Sequence, residues 1–197
     1  MEERKGPLCM TRRSALATVA GGAMVASFTA GDIVEAASGE ARLEDGVYPE
    51  LKVAKVASLT EGEPVAFAYP LKQQPNMIVK LGDEALHGVG PDRDIVAFSV
   101  LCTHMGGSLR GRYRHDLKAM GPCPFHFSTF DLRKGGIPVH ASATQNLPQI
   151  RLRVDGDDIV AFGVTGLIYG FRSNLSDGEI AEGATPGRPG APVIMRG

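Results

Sequence analysis

A chain of 197 residues with 43% hydrophobic and 22% charged side chains has the make-up of one globular domain with tails, and two large domains are excluded by length. A formal net charge of -1 offers no broad basic face, which argues against nucleic acid as a partner. With 25 glycines, 13 prolines and no tryptophan the chain turns often, so short strands and loops are expected and the fold class is all-β.

The first element in chain order is a targeting segment over residues 1–38. Paired arginines Arg12 and Arg13 lead into the weakly apolar run from Ser14 to Ala30, and small residues follow at Ala36 and Ala37. The twin arginine followed by Ser14, Ala15 and Leu16 resembles a Tat export signal, the route for proteins that fold around a cofactor before crossing the membrane. The apolar run sits at the lower limit for spanning a bilayer, so cleavage is expected and membrane contact arises only if the segment is retained. Cleavage removes Cys9 and leaves Cys102 and Cys123.

The domain proper is expected over 45–175. PVAFAYP (64–70), MIVKL (77–81) and IVAFSVL (95–101) are short apolar runs bounded by Gly, Pro, Asn or Asp, and each reads as a strand. QIRLRVDGDDIVAFGV alternates Ile150, Leu152 and Val154 with Arg151 and Arg153, then turns at Asp155-Gly156, which predicts a hairpin. GLIYGF (166–171) reads as one more strand. From 176 to 197 the chain is rich in Gly, Pro and Ala, with few large apolar residues, and a loose tail is expected.

Between the third and fourth of these elements lies the chemistry. Cys102 and His104 form Cys-x-His; Cys123 and His126 form Cys-x-x-His; glycines and prolines at Gly106, Gly107, Gly121, Pro122 and Pro124 place both pairs on tight loops around residues 100–130. Two thiolates with two imidazoles suit zinc or an iron–sulfur centre. A structural zinc module would more commonly carry Cys-x-x-Cys and His-x-x-x-His, whereas loops that each hold one of each type suit two irons, one taking both cysteines and the other both histidines. Met105, Phe125 and Phe127 beside these residues suggest an apolar cap over the site, with ordinary core packing as the alternative for Phe127. His87, His115 and His140 read as solvated or hydrogen-bonded, and RGRYRH (110–115) as a solvated face with docking of an acidic carrier as the alternative.

CTHMGG and CPFHFS resemble the Rieske motif, CTH-x-G and CP-x-H-x-S. The resemblance implies a Rieske fold, an antiparallel β-sandwich base with a small inserted cluster-binding subdomain. It also implies a [2Fe-2S] cluster with Cys102 and Cys123 on the inner iron and His104 and His126 on the outer one. Many family members carry a further cysteine on each loop, joined as a disulfide, and Gly107 and Phe125 occupy those positions here. High-potential members place a serine and a tyrosine hydroxyl against cluster and cysteine sulfur. Ser128 matches the serine and Phe130 stands in the tyrosine position, so a potential below that of quinol-oxidising relatives is expected.

With GVGPDRDIVAFSVLCTHMGG, CPFHFSTFDLRKGG, ATQNLPQIRLRV, GLIYGF and the twin arginine together, residues 10–172 are similar to the small Rieske subunit of arsenite oxidase. That family implies a periplasmic electron-transfer subunit without activity of its own. Its partners would be a molybdopterin-containing large subunit with a [3Fe-4S] cluster and a periplasmic cytochrome c or azurin. The rival family reading is the Rieske subunit of a quinol-oxidising cytochrome complex, for which the disulfide pair and a sturdier anchor are missing. An oxygenase would need a further iron site and a catalytic domain for which the chain has no room.

Overall fold

The computed structural model describes residues 47–176 and 178–187. The expected targeting segment and the end of the tail lie outside the described residues. Six strands form one antiparallel sheet: β1 (Leu51–Lys55), β2 (Val65–Ala68), β3 (Pro75–Lys80), β4 (Ile95–Ser99), β9 (Gln149–Asp155) and β10 (Asp158–Thr165), in the spatial order β1-β10-β9-β4-β3-β2. Four short strands form a second antiparallel sheet, β5 (Tyr113–Arg114), β6 (Ala119–Met120), β7 (Thr129–Asp131) and β8 (Ile137–His140), in sequence order. All four fall between β4 and β9, so the second sheet is an insertion into the first.

The sheet's two faces explain its sequence. Residues 77–79 of β3 and 95–98 of β4 are unbroken apolar runs because both faces are covered: Ile78, Ile95 and Ala97 enter one cluster with Ile150, Leu152, Ile159 and Tyr69, while Met77, Val79, Val96, Phe98 and Val100 enter another. This second cluster also contains Leu109, Met120, Phe130, Leu132 and Leu147 from the insertion, together with Cys102 and Cys123. The predicted hairpin is β9 and β10, with Asp155 opposite Asp158 and Gly156 in the left-handed region at φ +65°.

The insertion enters and leaves at one place. β4 and β9 pair through Ala97↔Ile150 and Phe98↔Gln149, and the Ser99 N–H donates to Pro148 O at 2.9 Å. The inserted unit therefore extends past 130, through β8 and a following loop, to Pro148.

Two sequence expectations change. GLIYGF is a turn-rich loop, because Gly166 (φ +88°) and Gly170 (φ +90°) take the left-handed region and break the extension. Only Ile168 of its apolar residues is fully buried, with Leu167 and Tyr169 exposed. The described part of the tail, 178–187, is docked. Ala181 N–H donates to Pro70 O at 2.9 Å, Lys72 N–H to Glu179 O at 2.8 Å, and Glu50 and Thr185 exchange two backbone bonds of 2.8 Å. Backbone pairing and the Lys72–Glu179 ion pair at 2.7 Å hold this strap in place of large apolar side chains.

Candidate metal centre

The two cysteine loops close with one hydrogen-bond pattern. In the first, Cys102 N–H donates to Gly107 O at 2.9 Å and Gly106 N–H to Cys102 O at 2.8 Å; in the second, Cys123 N–H donates to Ser128 O and Phe127 N–H to Cys123 O, both at 2.9 Å. Each turn needs a left-handed residue four places after its cysteine, supplied by Gly106 at φ +69° and by Phe127 at φ +60°. Phenylalanine there costs on the order of 1–2 kcal/mol, strain of the sort that gathers at functional sites.

The four sequence-predicted donors pair by type, thiol with thiol and imidazole with imidazole. Both thiols are buried, Cys102 at 0% and Cys123 at 2% exposure, and neither is in a disulfide. Burial pushes the Cys102 thiol above its ordinary value, opposed by backbone N–H groups of His104 and Met105, while the adjacent Cys123 thiol adds to the rise. His104 is half-buried and His126 exposed. Their rings meet edge to face at 4.6 Å and 81°, with the two Nδ1 atoms 3.1 Å apart. Buried sulfur inside and imidazole nitrogen outside is a donor set that fits two adjacent irons of different ligation.

Gly107 and Phe125 hold the loops together without a disulfide. A Cβ on Gly107 would lie 2.6 Å from Cys123 Sγ and 3.1 Å from a Phe125 ring carbon, so the first loop seats its bare Cα against the second cysteine and the ring beside it. Phe125 also meets the His126 ring edge to face at 6.4 Å. Met105, Phe125 and Phe127 are 53%, 57% and 63% exposed, so in this chain they form an apolar rim around the histidines, and core packing does not describe Phe127.

Ser128 and Phe130 are fully buried beneath the loops. Ala143 N–H donates to Ser128 Oγ at 3.0 Å, which leaves the hydroxyl proton free to point at another acceptor. This contact belongs to a third loop, 141–148, that sequence reading missed. Thr103 Oγ1 donates to Gln145 O at 2.9 Å, so the same loop ties down both cysteine loops. Its only sequence mark is the small, polar run ASATQN between two strands.

The other histidines stay away from the centre. His115 joins Tyr113, Lys118 and Glu61 in a polar cluster, with Tyr113 Oη 3.2 Å from His115 Nδ1 and Lys118 Nζ donating to Leu81 O at 2.6 Å. Within RGRYRH, Arg114 pairs with Asp116 at 3.0 Å, while Arg110 and Arg112 are exposed. His87 is exposed, its pKa lowered by partial burial and Arg151, and His140 is exposed on β8.

The Rieske [2Fe-2S] domain family matches residues 50–151. The chain belongs to the Rieske [2Fe-2S] family. Similar curated proteins include the iodate reductase subunit IdrB of Denitromonas iodatirespirans, 50% identical over 84% of this chain and 87% of the relative. The iodate reductase subunit IdrB of Pseudomonas sp. (strain SCT) is 44% identical over 84% of each. Among solved structures, the soluble domain of Rieske protein II (soxF) from Sulfolobus acidocaldarius aligns with a TM-score of 0.57 and 25% identity, covering 64% of this chain and 83% of that one. The all-β Rieske fold expected from the motifs is thereby established, and with it a Rieske-type [2Fe-2S] cluster as the cofactor.

Proposed function

We propose that Cys102 and Cys123 hold the inner iron and His104 and His126 the outer iron, and that the chain is the one-electron relay subunit of a larger oxidoreductase. The observation that carries this reading is the sorting of the donors, buried thiols against surface imidazoles 3.1 Å apart. A [2Fe-2S] cluster so ligated supplies reversible one-electron transfer, at a potential between about -150 and +300 mV. The protein's own part is positional. The first turn aims the backbone N–H groups of His104 and Met105 at the Cys102 sulfur, Ser128 has a hydroxyl proton to offer the same site, and the exposed histidine edge faces whatever protein exchanges the electron.

Iodate reductase subunits at 50% and 44% identity support placing the relay in an iodate-reducing complex. The arsenite oxidase reading keeps the motif resemblance as its support. The two differ in direction. An arsenite oxidase sends electrons from its molybdopterin-containing large subunit through this chain to a cytochrome c or azurin, and an iodate reductase draws them inward through the same chain. Arg12 and Arg13 support export by the twin-arginine route to the periplasm.

Electron paramagnetic resonance of the complex purified with its large subunit tests all of this. The expected result is a rhombic Rieske signal on reduction, abolished in Cys123→Ala and His104→Ala. Adding iodate to the reduced complex should erase the signal. Its appearance on adding arsenite to the oxidised complex would instead select arsenite oxidation. A signal indifferent to both would overturn the assignment of the partner, and zinc in place of iron would overturn the relay itself.

A further inference from the structure

Tyr169 is where chain beyond the family-matched stretch reaches the metal centre. The match ends at residue 151, and the segment after β10 lies outside it. Asn174 builds that segment: its Oδ1 accepts from Ile168 N–H at 2.9 Å, and its Nδ2 donates to Gly166 O at 2.9 Å and to Tyr48 Oη at 3.1 Å. With Ile168 locked into the interior, Leu167 and Tyr169 are turned outward. The Tyr169 ring comes to rest on Gly106, where a Cβ would lie 2.5 Å from Cδ1 and 2.6 Å from Cε1. Gly106 is the residue whose N–H closes the turn carrying Cys102 and His104.

We propose that Tyr169 is a positioning residue for the cluster: its ring braces the first loop at Gly106 and so fixes the approach of Cys102 and His104 to iron. The proposal rests on the reading of those two residues as ligands. The ring, and not the hydroxyl, carries the effect, because Tyr169 Oη makes no hydrogen bond to a described residue. Close contact between the Cδ1–Cε1 side of the ring and a residue without a side chain is lost as soon as the turn shifts, so it resists widening of the loop. Gly106 consequently has two reasons to lack a side chain, its left-handed backbone and the ring above it.

The test uses the full complex in wild-type, Tyr169→Ala, Tyr169→Phe and Leu167→Ala forms. It reads the g-values of the reduced signal, the midpoint potential and the rate of iron release to a chelator. Tyr169→Ala should broaden the g-values, move the midpoint and release iron roughly tenfold faster, as losses of supporting contacts around metal ligands do. Tyr169→Phe and Leu167→Ala should match wild type. Equality of Tyr169→Ala with wild type in all three readouts overturns the proposal, as does a phenylalanine variant that behaves like alanine. Tyr169→Leu serves if the alanine variant does not accumulate, and unchanged iron release there overturns the proposal equally. Absence of a Rieske signal in the wild type would strike the ligand assignment instead.

Discussion

Gly107 shows how little freedom the centre leaves a single residue. A methyl group there would lie 2.6 Å from Cys123 Sγ, closer than real side-chain contacts allow, and Phe125 blocks the way out. Gly107→Ala should therefore fold, as judged by circular dichroism, yet retain roughly tenfold less iron after purification, in line with other perturbations next to metal ligands. Iron content equal to wild type would show that the sulfur moves freely. Phe130 is fully buried in the same cluster as both thiols. A hydroxyl added by Phe130→Tyr that reaches sulfur stabilises the more negative reduced state, so the midpoint should rise by on the order of 50 mV, the electrical equivalent of one hydrogen bond. A redox titration showing no rise counts against the expected role of this position.

At the scale of elements, the third loop and the strap carry the structure that the sequence kept hidden. Thr103→Val removes the bond to Gln145 O and nothing of similar size, so urea denaturation of the holoprotein should show a loss of about 1 kcal/mol. The strap responds to acid. The Lys72 ammonium beside Glu179 holds that carboxyl below its ordinary value, so the pair stabilises docking above the usual carboxylate range and the contribution fades as pH falls through the lowered value. The protection factor at Ala181, its exchange rate corrected for the intrinsic pH dependence of amides, should accordingly fall in acid, and Glu179→Gln should flatten that dependence. Strands β3, β4, β9 and β10 were legible because apolar runs and alternation follow directly from which faces they bury. The cysteine and histidine pairs were legible because metal chemistry restricts residue type and spacing. The third loop was not, since Thr103 with Gln145 and Ser128 with Ala143 are joined across distances in sequence that no local pattern encodes. GLIYGF misled for the opposite reason: its apolar residues have strand character, but glycines at both ends decide the backbone.

The described residues form two apolar clusters, and one of these contains both thiols. Removing iron should thus act unevenly. Hydrogen exchange of the metal-free chain should keep β1, β9 and β10 protected while residues 101–132 exchange quickly, and uniform loss of protection would mean that the base depends on the cluster as well. The insertion itself begins and ends at hydrogen-bonded neighbours, Ser99 and Pro148. For a polymer this makes the excursion a closed loop whose ends meet whatever its contour. Closure entropy grows only with the logarithm of length, about 0.6 kcal/mol for each doubling. The base sheet is therefore nearly indifferent to how much chain is looped out between those two residues. The excursion can be lengthened in its loops at little entropic cost to the sheet, so long as the residues that cover Met77, Val79, Val96 and Phe98 stay in place.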